Sequence, residues 1–306
     1  MSEVNNANAQ SSIVTLKEKD MQKVSAQQKV VRVVVQVLLY AFLFLMALII
    51  IFPFYFMIIS SLKTMDEYRL AVPTLVPRYF DFRNYVDGFR NKDLVLGKLF
   101  LNTLYVGIVS TILSLVVTVI SAFAFARLEF KGKNALFAAL LATMMIPGEL
   151  FTITNYQTIN TFGWMNTYTV LIVPFLVSVF YIYLLKQNFM QIPNELYLAA
   201  KVDGTKDLKY LWKVMIPLAL PTLISITILK MMGSWSSYMW PRLVANDIDH
   251  RLITNGLRTA FTDASGVTDI PVQMAAVAVV SAPLFLVFVF LRKYIMKGVS
   301  RSGIKG

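Results

Sequence analysis

The chain has 306 residues, of which 57% are hydrophobic and only 15% are charged, a composition that indicates a membrane protein rather than a water-soluble domain. It contains no cysteine and a single histidine, His250, which excludes a disulfide framework, a thiolate nucleophile or a multi-histidine metal site built from this chain alone. Its 29 basic and 17 acidic residues leave a net charge of +12, which is typical either of a polyanion-binding protein or of basic loops on the cytoplasmic face of a membrane.

Six runs of the sequence are apolar for long enough to cross a membrane. A helix through about 30 Å of hydrocarbon needs roughly 20 mostly apolar residues. Proline interrupts five of the runs, so we expect kinked helices whose freed carbonyls are satisfied by neighbouring helices. The first run is longer than the apolar core of a signal peptide and is interpreted as a retained anchor. The runs are 33–59, 99–126, 135–153, 168–185, 214–232 and 272–291.

The basic residues are distributed unevenly between the segments outside these runs. With both termini on the cytoplasmic side, that side carries 18 basic and 7 acidic residues, a net charge of +11, whereas the opposite side carries +1. Because basic residues concentrate in short cytoplasmic loops, we predict that both termini are cytoplasmic. The basic residues lie in four separate segments and form no single stripe with stacking aromatics, so nucleic-acid binding is not favoured.

Two polar segments flank the first run. Residues 1–30 bury too little apolar surface to order alone and are predicted to form a disordered or loosely helical cytoplasmic tail. The segment 60–98 is predicted to lie outside and is rich in aromatic residues, which indicates packing or docking, or else an aromatic belt at the membrane interface. Its clustered aromatics are Tyr79, Phe80, Phe82, Tyr85 and Phe89.

The segment between the fourth and fifth runs predicts a short helix at about 193–206. Asn194 follows Pro193 as an expected N-cap, Glu195 lies in the first turn where the helix dipole favours an anion, and Gly204 supplies a left-handed stop. A helix of about ten residues between two membrane spans runs along the membrane surface. It is either offered to a cytoplasmic partner or rests as an amphipathic helix on lipid headgroups.

The same segment contains Glu195, Ala199, Ala200, Asp203 and Gly204, and it is followed by Ile216, Pro217, Leu218 and Pro221. This pattern resembles the EAA motif of importer permeases of the ATP-binding-cassette (ABC) class, except that Leu198 stands where many members carry a second acid. Other stretches are similar to the carbohydrate branch, in particular to the smaller permease of maltose-type transporters. They are 101–103, 122–127, 130–133, 145–148, 166–168, Trp235, 240–241 and 297–306.

The resemblance implies the type I fold of ABC importer permeases, an all-α integral membrane protein with six transmembrane helices. The implied domains are the tail 1–30, a permease domain 31–296 that contains the coupling helix, and a cytoplasmic tail 297–306 directed toward the ATPase, in which Arg301 and Ser302 depart from the commoner residues. The implied ATPase contacts are Glu195, Ala199, Ala200, Asp203 and Gly204, with Glu195 facing a basic residue of the ATPase and Gly204 setting the helix angle.

The resemblance also implies partners and a cellular location. The partners are a second, homologous permease that completes a heterodimeric pore, a dimer of ABC ATPase subunits, and a solute-binding protein that meets the segments 60–98 and 233–271. The chain contains no GxxxxGK[ST] phosphate loop, so ATP and magnesium are expected on the ATPase, with no cofactor, metal or catalytic residue on this chain. The implied function is import of sugars or oligosaccharides across the bacterial cytoplasmic membrane.

Four residues are candidates for the substrate path. Lys230 is a charge inside a predicted span, Trp235 and Tyr238 follow it in an aromatic cluster with Trp240, and Glu149 faces the pore or closes a helix. The competing interpretations are a lysine that snorkels to the interface and an interfacial aromatic belt.

Several functional classes stay open on the sequence. Alternative substrates are an acidic glycan or a glycerol-phosphate ester, because Lys230 and Arg242 allow an anion. An ion-coupled secondary transporter usually has several ionisable residues within its spans, whereas only Glu149 and Lys230 come close here. An intramembrane hydrolase lacks its nucleophile and base.

Overall fold

The regular structure is helical throughout the described part of the chain. The computed structural model describes the backbone of residues 2–90, 95–260 and 269–300, and the side chains of residues 31–90, 95–257 and 269–290. Short 3₁₀ turns occur at Gly148–Phe151 and Val173–Phe175, and a π-helical turn at Leu211–Met215. The α-helices in these ranges are α1 (Ser2–Ser61), α2 (Met65–Tyr68), α3 (Arg83–Arg90), α4 (Leu96–Arg127), α5 (Lys133–Thr143), α6 (Thr152–Thr161), α7 (Tyr168–Ile172), α8 (Val179–Met190), α9 (Asn194–Val202), α10 (Asp207–Tyr210), α11 (Ile216–Leu218), α12 (Leu220–Trp235), α13 (Met239–Val244), α14 (Ile253–Ala260) and α15 (Ile270–Ser300).

The chain divides into two units, Met1–Ile59 and Ser60–Gly306. The first unit contains α1 as far as Ile59, and the helical backbone includes residues 2–30, which were predicted as a disordered or loosely helical tail. From Val31 onward α1 is apolar and unbroken despite Pro53, and its most apolar window has none of its side chains buried. A helix of this length and exposure is suited to lipid or to another membrane chain.

Three of the predicted spans are continuous helices. They correspond to Val31–Ser61, Leu96–Arg127 and Ile270–Phe290, each long and apolar enough to cross a membrane. Within the second unit α4 packs against α8 and α12, and α12 packs against α15. The 32 residues of α4 are about 48 Å long, so this helix reaches beyond the hydrocarbon and joins the two ends of the unit.

The other three predicted spans are each made of two helices that meet at a sharp bend. The bends are 83° between α5 and the Gly148–Thr161 segment, 45° between the Tyr168–Phe175 segment and α8, and 81° at the start of α12. Pro147, Pro174, Pro217 and Pro221 lie at or beside these bends, which confirms the predicted kinks in three of the five runs, whereas α1 and α15 continue through Pro53 and Pro283. The described residues therefore contain three helices that are long and apolar enough to cross a membrane, or up to six crossings if each bent pair is one span, and the count of six stays a prediction.

The predicted helix between the fourth and fifth runs is α9, and one detail of its prediction is wrong. Asn194 was expected to cap the helix, but the cap residue is Pro193, and no side chain makes a capping hydrogen bond there. Pro193 has the extended ψ of 135°, so Asn194 already occupies the first helical position. The predicted tail 297–306 is described only for the backbone of 297–300, where it continues α15, and residues 301–306 lie outside the described residues.

Polar contacts fix the amino-terminal end of α4. The Asn102 side chain donates to the carbonyls of Asp249 (2.8 Å) and Arg251 (3.1 Å), and the Tyr168 hydroxyl donates to Asn102 Oδ1 (2.9 Å). Lys98 also pairs with the Asp249 carboxylate. These contacts connect α4, α7 and the loop before α14, so the helices are tied together at this end as well as along their apolar faces.

The 60–90 segment is ordered around two buried charged residues. Lys63 is 1% exposed and donates to the Thr74 carbonyl (2.5 Å), while Glu67 accepts hydrogen bonds from the Thr74 hydroxyl (2.6 Å) and the Arg78 backbone N–H (3.0 Å). Burial alone raises the pKa of Glu67, but these hydrogen bonds and the Lys63 charge outweigh it and hold the pKa below the ordinary value. Helix α3 then packs on α15. Four of the five predicted aromatics stay exposed, and only Tyr85 is partly buried.

Replacing Glu67 by glutamine should loosen this segment. A carboxylate with a lowered pKa stabilises the fold at pH values above its ordinary pKa, and the contribution is lost as the pH falls through the lowered value. The Glu67→Gln side chain would present an amide donor to groups that themselves donate, so we expect limited proteolysis within 60–90 to be faster by about fivefold at neutral pH. The exposed neighbour Asp66→Asn is the control, and equal cleavage rates in the two variants would contradict the role of Glu67.

Candidate functional sites

Helix α9 ends in a defined turn at Gly204. The Gly204 N–H bonds the Lys201 carbonyl (3.0 Å) and the Thr205 N–H bonds the Ala200 carbonyl (2.8 Å), which together form a Schellman motif. Gly204 has φ +70°, in the left-handed region that disfavours residues with a Cβ atom. The predicted left-handed stop is therefore confirmed, and it fixes the angle between α9 and α10.

One side of α9 faces the interior of the unit. Tyr197 and Ala200 pack against a buried apolar cluster that α4, α8, α10, the π-helical turn and α12 build together. The Tyr197 ring lies 5.2 Å from that of Tyr210, and its hydroxyl donates to Asp207 Oδ1 (2.8 Å). Ala200, predicted as an ATPase contact, thus packs inward, so the contacts on this side connect α9 to α10 and to the core.

Lys201 adds an ion pair to the same connection. Its Nζ lies 2.7 Å from Asp207 Oδ1, and this hydrogen bond raises the pKa of Lys201 above its ordinary value. A raised lysine pKa stabilises the contact at pH values below the ordinary pKa, and the contribution is lost as the pH rises through the raised value. The link between α9 and α10 is therefore intact at neutral pH.

Arg127 holds the turn that leads into α9. This residue ends α4 and is 9% exposed, and its Nη2 donates to the carbonyls of Phe189 (2.9 Å) and Ile192 (2.5 Å). These carbonyls belong to the end of α8 and the loop after it, and a guanidinium satisfies them with charge-assisted bonds. The sequence showed Arg127 as a basic loop residue and gave no signal that it binds a turn 62 residues away.

The opposite side of α9 is exposed and partly apolar. Glu195, Leu198, Ala199 and Val202 have the i, i+3, i+4, i+7 spacing that places residues on one helix face. Leu198 is 55% exposed and Val202 is 88% exposed. We call these four residues the α9 outer face. Of the predicted coupling residues, Glu195 and Ala199 lie on it and Asp203 is exposed at the helix end, whereas Leu198 and Val202 were not predicted although they share its spacing.

A cavity of about 370 Å³ lies among α4, α7, α8, α12 and α13. Four serines line it together with Tyr181, Trp240 and Lys230, which is the only charged residue that the described side chains contribute to the wall. The Trp240 ring is fixed, because its Nε1 donates to the Val170 carbonyl (3.0 Å) and the ring lies edge-on to Phe175 at 6.0 Å. The serines are Ser110, Ser178, Ser234 and Ser237.

Lys230 reaches the bend between the two halves of the fourth predicted span. Its Nζ donates to the Phe175 carbonyl (2.6 Å), at the end of the 3₁₀ turn Val173–Phe175. The carboxyl-terminal end of a helix carries a partial negative charge, which a nearby cation stabilises. Lys230 thus satisfies a carbonyl freed by the bend and borders the cavity as well.

The other predicted substrate-path residues lie away from this cavity wall. Trp235 is 5% exposed and packs edge-on against Phe100 at 5.3 Å, and Tyr238 accepts a hydrogen bond from Arg242 (2.8 Å). Glu149 is exposed in the turn before α6. The structure therefore brings Lys230 together with Trp240 and the four serines. In the sequence, the serines could have been noticed as hydroxyl residues within or beside otherwise apolar runs.

Residues 114–301 match the family described as the inner membrane component of binding-protein-dependent transport systems. The chain belongs to this family. The match includes α9 and most of the residues that line the cavity, so this permease is a multi-pass inner membrane protein and a transport subunit. Permeases of this family work with ATPase and solute-binding partners, as the resemblance of the EAA segment indicated.

Known relatives extend over nearly the whole permease. An arabinooligosaccharide transport permease of Bacillus subtilis is 26% identical over 275 residues, covering 89% of this chain and 97% of the relative. A diacetylchitobiose uptake permease of Streptomyces coelicolor is 28% identical over 265 residues, covering 86% of this chain and 87% of the relative. A crystal structure of a bacterial ABC transporter that imports the acidic polysaccharide alginate contains a chain with the same fold, with a TM-score of 0.77 at 21% identity, covering 85% of this chain and 96% of that one.

Removing the Asp207 carboxylate should free α9 from α10. The Asp207→Asn substitution removes the ion pair with Lys201 and weakens the hydrogen bond from the Tyr197 hydroxyl, because a neutral amide oxygen is a poorer acceptor than a carboxylate. We therefore expect amide hydrogen exchange in 195–204 to be faster by about tenfold. Asp203→Asn, at an exposed carboxylate, is the matched control. Unchanged exchange in Asp207→Asn would show that apolar packing alone holds α9.

Proposed function

We propose that this chain is a transmembrane permease subunit of an ATP-driven importer for sugars or oligosaccharides. It forms half of the translocation pore and couples to an ATPase subunit through α9. The observation that carries the coupling is the α9 outer face, which exposes Leu198 and Val202 on a helix whose other side is fixed to the core. An apolar face that rests on a rigid support is suited to docking a partner protein.

The nucleotide site belongs to another chain in this proposal. The sequence contains no GxxxxGK[ST] phosphate loop, so ATP and magnesium are bound by the partner ATPase dimer. Glu195 lies at the edge of the α9 outer face, where an acid can meet a basic residue of the ATPase.

Movement of the docked α9 is transmitted through three contacts. The Tyr197–Asp207 hydrogen bond connects α9 to α10, and through it to α12. Gly204 keeps the angle between α9 and α10, and Arg127 links the loop before α9 to α4. Alternating access requires two arrangements of the spans whose relative energies a partner changes. The bends in three predicted spans are places where the arrangement can change without unfolding a whole helix.

Orientation and remaining partners follow from the charge distribution. The side with α9 is the more basic one, which supports cytoplasmic termini and an ATPase on the α9 side. A second, homologous permease completes the pore as a heterodimer, and a solute-binding protein meets the segments 60–98 and 233–271 on the outside of the bacterial cytoplasmic membrane.

The sugar class is supported by the names of the relatives and by the cavity. Two relatives carry oligosaccharide names, and the cavity combines hydroxyl side chains with a fixed tryptophan ring, groups that suit a polyhydroxylated ligand. Relatives named for sn-glycerol-3-phosphate, such as one of Pectobacterium atrosepticum at 26% identity, keep a phosphate ester as the alternative. Family membership argues against an ion-coupled secondary transporter.

A charge on the α9 outer face tests the coupling proposal. Val202→Asp places an unpaired carboxylate where the ATPase would dock, without disturbing the core, because Val202 is 88% exposed. We expect at least about a tenfold loss of the ATPase activity that co-purifies with the tagged chain and of ATP-dependent uptake, with unchanged abundance in the membrane.

The matched control is Val72→Asp, at a valine that is 79% exposed in the 60–90 segment. It should leave the co-purifying ATPase activity at the wild-type level. If Val202→Asp retains both activities, docking through the α9 outer face is contradicted.

A further inference from the structure

The cavity contains an ammonium group that no carboxylate of the described residues faces. Lys230 is the only charged residue among the described side chains of the cavity wall, and no ion pair of these side chains includes it. A positive charge within a membrane span is costly unless an anion or polar partners offset it. The Phe175 carbonyl accepts one hydrogen bond, whereas an ammonium group has three donors, so two remain for a ligand.

The amino-terminal end of α8, which carries a partial positive charge, borders the same cavity as the Lys230 ammonium group. Helix α8 begins at Val179, directly after Ser178 in the cavity wall, and continues for 12 residues. The amino-terminal end of a helix carries a partial positive charge, and interrupted membrane helices use such ends toward anionic substrate groups. The helix end supports the lysine here and does not define the site alone.

The rest of the wall suits a polyhydroxylated ligand. Ser110, Ser234 and Ser237 contribute hydroxyl groups to the wall, and the Trp240 ring adds a fixed apolar surface. A cavity of about 370 Å³ falls within the size range of small-ligand pockets and has room for one acidic sugar residue of a longer saccharide.

We infer that Lys230 binds the anionic group of the transported solute, so that the substrate is an acidic saccharide, such as a uronic-acid oligosaccharide, rather than a neutral one. This inference rests on the proposed function as an importer subunit. A carboxylate and a phosphate ester share the required chemistry of an anion on a hydroxylated body, and the test separates them. A purely structural Lys230, which only satisfies the Phe175 carbonyl, would give no preference for anions.

The experiment uses the complete transporter, purified with its partner subunits and without the binding protein, so that selectivity reports on the permeases. The probes are trigalacturonate, trimannuronate, neutral galactotriose and glycerol 3-phosphate. We expect the wild type to bind an acidic trisaccharide at least about tenfold more tightly than the neutral one, because hydrogen bonds between charged groups contribute more binding free energy than neutral hydrogen bonds. Preferential binding of glycerol 3-phosphate would assign the site to phosphate esters and overturn the uronate assignment.

Variants connect the preference to Lys230. Lys230→Met should abolish the preference for the acidic probe, Lys230→Arg should retain it, and Lys131→Met, at an exposed lysine in the loop before α5, should match the wild type. Equal affinity of the wild type for acidic and neutral probes overturns the inference, and this comparison decides the matter even if Lys230→Met fails to assemble. A preference that persists in an assembled Lys230→Met complex overturns it as well.

Uptake with the binding protein keeps the two proposals apart. ATP-dependent import of a neutral sugar that is unaffected by Lys230→Met would overturn the anion site and leave the importer function standing. Absence of any ATP-dependent solute import by the wild-type complex would instead overturn the proposed function.

Discussion

The position of α9 depends on the buried guanidinium of Arg127. A helix that ends inside a protein leaves carbonyls short of partners, and here one side chain from α4 donates both to the Phe189 carbonyl at the end of α8 and to the Ile192 carbonyl in the loop after it. Because the guanidinium is rigid and always charged, it fixes the turn in a way that a lysine in its place would not. The loop after α8 therefore leaves the core in one direction, and α9 lies where Tyr197 and Lys201 reach Asp207.

The same problem recurs at the bend between α7 and α8, with a different solution. The interruption frees the Phe175 carbonyl and opens the first turn of α8, and a lysine from α12 bonds the former while Ser178 caps the latter. Groups that satisfy backbone in this way are polar and lie between helices, so they also form the wall of a cavity. The structural role of Lys230 and its proposed role with an anion are therefore compatible, since the ammonium group has more donors than the bend uses.

The elements that local chemistry determines could be predicted from the sequence. The apolar runs located the continuous helices α4 and α15, the prolines located the bends, and Gly204 located the end of α9. The sharpness of the bends was not predictable, because it depends on which neighbouring helix satisfies the freed carbonyls. For the same reason the partners of Arg127 were not predictable, since they are 62 and 65 residues away along the chain.

The cavity shows where sequence patterns lose information. Trp235 and Trp240 are five positions apart and equally suited to a sugar, yet α12 ends at Trp235 and buries it against Phe100, whereas α13 begins at Met239 and turns Trp240 to the cavity. A change of helix between the two residues breaks the spacing that relates their faces. Only the packing of α4, α8 and α12 brings Ser110, Ser178 and Ser234 to one wall.

Coupling through α9 requires that this helix and the helices packed beneath it move as one body. The chain contains no cysteine, so Leu196→Cys, on α9 but off the α9 outer face, and Ile112→Cys on α4, both exposed, give a pair of spin-label sites unique within this chain. The distance between these labels should be measured by pulsed electron paramagnetic resonance in the assembled transporter, without nucleotide and with ATP bound. If α9 and α4 move together, the two labels give one narrow distance distribution with the same mean in both states. A shift of about 5 Å, one helical turn, or a second population in either state would contradict it.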